Sequence, residues 1–208
     1  QGLGVDPTAI AYGIYEVLLN PEGGADFAVM TTAHGVDLIP SALELAGAEL
    51  ELAGKVGREL LLRKALRQTR ERYDYVLIDP PPSLGIFSLN ALAVADAVLV
   101  PMQLHAYALQ AMPQLEQTIE MVREIHPTLN IGGIICTLAD RRTNLSVQIE
   151  KQVREHYGEL VFDTVIPMNI KLAEAPTSGT PIGTYAAQSA GALAYAALAS
   201  ELEARYAQ

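Results

Sequence analysis

The sequence predicts an α/β protein, a doubly wound and mostly parallel sheet with helices on both faces. Short apolar runs that suit buried strands alternate with longer segments of helical spacing. Strands joined through helices form right-handed βαβ units. The stretch from Tyr73 to Pro101 shows the pattern in miniature. It holds two apolar strand-like runs, Val76–Ile78 and Ala97–Val100, with Asp79, Pro80, Pro81, Pro82 and a helix-like segment between them.

The 208 residues, half of them hydrophobic, suffice for one substantial core, so a single domain over 1–208 is expected. Trp is absent and aromatics are few, which leaves Leu, Val, Ile and Ala to fill that core. The formal charge of −10 excludes a uniformly basic nucleic-acid-binding surface but not a local basic patch. A single cysteine, Cys136, rules out an internal disulfide framework and fits a reducing cytoplasm. No apolar run reaches the roughly 18 residues of a membrane span. The opening residues, QGLGVDPTAI, show no signal peptide and no initiator Met, which suggests a truncated or processed chain.

Ala9 to Leu19 has helical spacing and is ended by Asn20, Pro21, Gly23 and Gly24. Phe27 to Thr31 reads as a short strand or an extended approach, and Val36 to Pro40 as a strand. Ser41 with Glu44 has capping-box spacing, ahead of an Ala- and Leu-rich helix over Leu43 to Leu52. Arg58 to Arg72 is a helix with Leu61, Leu62, Ala65 and Leu66 inward. Its Arg and Lys residues form a solvated face, with Glu59 and Glu71 as neighbours.

Beyond the central stretch, Ala108 to Ile125 is a helix in which Pro113 marks a kink or the true first turn. Ile131 to Thr137 is apolar without alternation, which implies burial on both faces. Asn144 or Ser146 caps a helix running to about Tyr157. Val161 to Ile166 is a strand halted by Pro167, Pro176 to Pro181 a loop, and Ser189 to Tyr206 a closing helix. Ligands of such sheets sit at the carboxyl ends of the strands. The candidate site is therefore Asp79 to Ser83, Pro101 to His105, Thr137 to Thr143 and Pro167 to Lys171.

An ordered series of segments gives this pattern a family. It comprises Val36 to Leu52, Gly57 to Leu66, YDYVLIDPPPSLG (Tyr73 to Gly85), Leu89 to Gln103, Tyr107 to Met112, TLADRRTNLS (Thr137 to Ser146) and VIPMNIKLAEAPTSGTPI (Val165 to Ile182). The chain resembles the ParA/Soj-type partition ATPases of the deviant-Walker ParA/MinD group of P-loop NTPases. The resemblance implies a ParA-like ATPase domain lacking its first βαβ portion. It places Asp79 on the Walker B carboxylate, which holds Mg2+ through water beside the ATP phosphates. It places Pro167 and Asn169 at the adenine base, where proline offers a flat apolar surface and an amide both donor and acceptor. Arg142 and Lys171 fall where relatives bind DNA without sequence preference, through salt-sensitive phosphate contacts. The family dimerises on ATP, a ParB-like partner stimulates hydrolysis, and the protein works on the nucleoid in the cytoplasm, without a membrane anchor. The last residues, ELEARYAQ, are not the basic amphipathic helix of a membrane-bound relative.

The chain departs from the family in three ways. No G-x-x-x-x-G-K-[ST] phosphate loop occurs in these residues, and Gly54-Lys55 is followed by Val56. Without the loop's amides and lysine this chain alone is expected not to hydrolyse ATP, and no catalytic residue is assigned within it. His105 stands where relatives often carry Glu; a ligand or switch role is weighed against a structural imidazole, which is favoured. Met168, Gln188 and Ala190 replace common basic residues. Thr31, Thr32, Ser83 and Ser88 lack a nucleophile's context, and Cys136 is expected to be an inert buried thiol. The alternative function is a shortened, catalytically inactive ParA-like interaction module. Another enzyme of the same fold, the nitrogenase iron protein, needs cysteines that this chain lacks. The absent portion would supply strands to the middle of the sheet, so these residues alone are expected to expose strand edges and to be poorly stable.

Overall fold

A computed structural model describes residues 2–41 and 45–206. Two units emerge, each with its own core. The first is built from Leu3–Asp96 and Thr118–Leu129, the second mainly from Ala97–Gln117 and from Asn130 onward.

In the first unit, helix α1 (Ile14–Leu19) is shorter than its apolar spacing suggests. Gly13 is its N-cap; its amide donates to Glu16 Oε2, and the amide of Ile14 donates to Pro40 O. Asn20 caps the far end, and Gly24 adopts φ 74°. Strands β1 (Met30–Thr31) and β2 (Asp37–Leu38) pair antiparallel, Thr31 opposite Asp37. Ser41 is described, whereas Leu43 and Glu44, the start of the expected helix and the second half of the expected capping box, lie outside the described residues. Helix α2 (Leu45–Ala53) follows.

Helix α3 (Leu61–Thr69) is flanked by single 3-10 turns at Arg58–Leu60 and Arg70–Arg72. Leu61, Leu62, Ala65 and Leu66 are buried, as their spacing predicts. They pack with Val17, Leu18, Leu52 and Val94. The basic residues take partners other than Glu59 and Glu71: Lys64 pairs with Glu22, Arg70 with Asp96 and Arg72 with Asp26. Helix α4 (Ile86–Val94) closes this core.

The expected strand at Val76–Ile78 does not form. Tyr75 to Asp79 belongs to no regular element, and among the described residues no backbone hydrogen bond joins it to a neighbour. A strand exists only through its ladder, and a run without one leaves its donors and acceptors open. Leu77 is 82% exposed. The segment borders a groove of about 860 Å³ whose other walls include Leu38, Ile39, Leu62, Leu66 and Phe87.

In the second unit, β3 (Ala97–Gln103) and β4 (Asn130–Thr137) run parallel, from Ala97 opposite Asn130 to Gln103 opposite Thr137. Ile134 and Cys136 are fully buried, as the unbroken apolar run requires. Helix α5 (Met112–Arg123), whose residues up to Gln117 belong to this unit, sets Pro113 in its first turn, where a missing N–H costs nothing. Helix α6 (Asn144–Tyr157) is capped by Thr143, whose hydroxyl accepts the amide of Ser146; neither Asn144 nor Ser146 is the cap.

Val161 to Ile166 is likewise not a regular strand. It is bridged to β4 at Ile134–Val161, and the amides of Phe162 and Ile166 donate to Ile134 O and Cys136 O. Between those points the ladder is diverted: the amides of Asp163 and Thr164 donate to the Glu201 carboxylate. After α7 (Ile170–Glu174), a 3-10 turn at Ala175–Ser178 occupies part of the expected Pro176–Pro181 loop. Helix α8 (Ile182–Tyr185) leads to α9 (Ala190–Tyr206), which carries Glu201. Arg205 of α9 lies 3.9 Å from the ring centre of Phe162 and donates to Gly132 O and Leu160 O.

Candidate nucleotide and DNA site

Asp79 lies at the carboxyl end of the apolar segment in the first unit and lines its groove. The carboxylate is exposed and takes part in no hydrogen bond or ion pair found among the described residues. The following turn is held by Ser88 of α4, whose hydroxyl donates to Ser83 O and lies 3.3 Å from Pro81 O. No group of three or more His, Cys, Asp or Glu suited to a metal occurs among the described residues. An open carboxylate of this kind fits the side of a Mg2+ site that phosphate oxygens and water complete, and does not fit an all-protein metal cage.

Three strand-end segments come together in the second unit. Gln103 and Thr137 end β3 and β4 in register, and Pro167 bridges Ala139 in parallel. Ala139 donates to Ile166 O, and Met168 donates to Ala139 O. Leu138, between Thr137 and Ala139, has φ 51°, a backbone region that costs a side-chain-bearing residue about 1 kcal/mol. Pro167 and Asn169 are half-buried, Met168 exposed. Asn169 is the N-cap of α7, with its Oδ1 accepting the amide of Lys171 at 2.8 Å. That bond commits one acceptor position, so the amide group turned outward offers chiefly its N–H donors, rather than donor and acceptor equally.

The two basic candidates belong to the same unit. Arg142 Nε and Nη2 each donate to Asp140 at 2.8 Å, and the Arg142 amide donates to Asp140 Oδ1 at 3.1 Å. This guanidinium holds the Asp140 carboxyl down at about 2. Lys171 Nζ donates to Glu174 Oε2 at 2.8 Å, and the Tyr185 hydroxyl donates to the same oxygen at 3.0 Å. The Glu174 carboxyl is held below its ordinary value by Lys171 first and Tyr185 second. Sequence reasoning named neither carboxylate. The i,i+3 spacing of Lys171 and Glu174 was the available signal for that pair, whereas the Asp140–Arg142 pair and Tyr185 had none. His105 is exposed, its Nδ1 accepting the amide of Tyr107 at 3.2 Å.

A protein family described as AAA domain matches residues 1–131. The sporulation initiation inhibitor protein Soj of Bacillus subtilis is 39% identical over 205 residues, spanning 98% of this chain and 81% of that protein. The chromosome partitioning protein ParA of Caulobacter vibrioides is 44% identical over 207 residues, spanning 98% and 78%. The chain belongs to the ParA/Soj family. Among solved structures, a Mycobacterium smegmatis protein described as cobyrinic acid a,c-diamide synthase, with bound ATP analogue and magnesium, is 34% identical. It superposes with a TM-score of 0.81 over 99% of this chain and 78% of its own. The ParA/Soj chain thus has the α/β fold of the ParA/MinD-like P-loop NTPases, as the alternation of its elements predicts. Among its described residues no helix is long and apolar enough to cross a membrane.

Proposed function

We propose that this ParA/Soj-family chain serves in DNA partitioning as the bulk of an ATP-dependent switch. Near-complete coverage of the chain by Soj and ParA at 39% and 44% identity carries the reading. Asp79 takes the magnesium side of the nucleotide. Pro167 lies against the base, and the Asn169 amide donates to its edge. Mg2+, when bound, neutralises phosphate charge; the chain's own part is to offer the Asp79 carboxylate at the end of its groove. ATP brings two copies together, and the dimer binds DNA without sequence preference through Arg142 and Lys171. A ParB-like partner stimulates hydrolysis, in the cytoplasm and on the nucleoid. Hydrolysis requires a phosphate loop that these 208 residues do not contain.

The second reading is an inactive ParA-like interaction module. A K-G-G-x-x-x-K-T stretch encoded upstream of Gln1 supports the switch and removes the module. At the bench, the full-length protein should bind DNA with ATP and release it without. Equal binding in both conditions overturns the switch.

A further inference from the structure

Each of the two cations assigned to DNA is already neutralised from within. Arg142 forms a two-pronged pair with Asp140. Asp140 is itself fixed: its amide donates to Ser146 Oγ, and its carbonyl accepts the amide and hydroxyl of Thr143. Its side chain is 21% exposed, against 86% for Arg142, so the carboxylate is the anchored partner and the guanidinium the outward one. Lys171 is held by Glu174, whose accepting oxygen is shared with Tyr185. The same device thus appears twice in one unit, once on the loop before α6 and once along α7.

We propose that Asp140 and Glu174 are tuning residues for DNA binding, each keeping its cation in an internal ion pair that a phosphate must displace. The proposal rests on the reading that Arg142 and Lys171 contact DNA. Exposed ion pairs are weak enough for a phosphate to compete with them. The condensed counterions belong to the DNA, and a cation still matched by its own carboxylate brings no net charge to a phosphate, so it releases few of them and adds little to the salt dependence of binding. The carboxylates therefore lower both the affinity and its steepness with salt. They keep a protein of net charge −10 from being retained on DNA by fixed basic residues alone.

Asp140→Asn and Glu174→Gln test this, because each keeps an oxygen acceptor for its neighbours and removes the charge. With the full-length protein, ATP and Mg2+, fluorescence anisotropy on a labelled random-sequence duplex is read across a KCl series. Each variant should bind roughly threefold tighter or more, and the log–log salt slope should steepen by up to about one unit. Damage to the fold does not raise affinity, so a gain reports the removed charge. Unchanged or weaker binding by both variants overturns the tuning role. The double variant Arg142→Ala/Lys171→Ala runs alongside. If it flattens the slope while the charge-neutral variants change nothing, only the tuning role fails; if it leaves the slope intact, the DNA assignment itself fails.

Discussion

Asn90 Oδ1 accepts the amide of Leu62 at 3.0 Å, tying the middle of α4 to the first turn of α3. Its Nδ2 donates to Arg58 O and Ile86 O at 2.8 and 2.9 Å, and the residue is 1% exposed. The side chain thus satisfies one of the open amides at a helix start from inside the core. Asn90→Leu strands those groups without water and should cost about 3 kcal/mol. Urea unfolding measures it, and a loss below about 0.5 kcal/mol contradicts the role given to Asn90.

Leu66 and Leu77 make a matched pair. Leu66 is buried in α3, whereas Leu77 stands exposed in the unpaired segment. Leu66→Ala should cost about 2–5 kcal/mol, and Leu77→Ser should stay within about 0.5 kcal/mol. Equal losses in thermal or urea unfolding mean that the segment is packed as a strand after all.

Cys136 is shut inside β4, and burial pushes its thiol up to about 11. At pH 8 the native protein should resist iodoacetamide, while the urea-unfolded chain should be labelled within minutes. Rapid labelling of the folded protein excludes a buried thiol.

The Asp140 carboxyl has a folded value of about 2 against an ordinary 3.8. A depressed carboxylate contributes stability above its ordinary value and loses that contribution as pH falls through the folded value. The Asp140–Arg142 pair should therefore persist at pH 4 and open only as pH falls through about 2, while its contribution to stability fades between about 3.8 and 2. An NMR titration of the side chain should give a midpoint near 2, returning toward 3.8 in Arg142→Ala. A normal midpoint in the unaltered protein removes the pair.

Gly133 leaves no open space for a side chain: a Cβ built there would overlap the ring of Phe162. Gly133→Ala should cost roughly 1–3 kcal/mol through overpacking. A neutral effect in denaturant unfolding means that the ring moves freely aside.

Periodicity made the helices readable, because spacing is a property of the segment itself. Leu61, Leu62, Ala65 and Leu66 turn inward as their positions dictate. Strands were less readable because a strand is a relationship. Val76–Ile78 has the composition without a neighbour, and Val161–Ile166 surrenders two amides to Glu201, at least 37 residues away. The α6 cap lies one residue before Asn144 and three before Ser146, the two expected positions, because Thr143, Asn144 and Ser146 all offer a suitable oxygen and only backbone geometry selects among them. In the candidate site, resemblance placed Asp79, Pro167, Asn169, Arg142 and Lys171. It did not reveal that Asn169 spends an acceptor on its own helix, or that a tyrosine completes the grip on Lys171.

The reach of Arg205 bears on how the protein is born. Its guanidinium bonds to Gly132 O, 73 residues earlier, and covers the ring of Phe162. During synthesis β4 emerges from the ribosome well before α9, so its flank waits uncovered while the intervening chain is made. At about 5–20 residues per second that interval lasts several seconds, a window in which a chaperone, rather than Arg205, is the natural first cover for that surface.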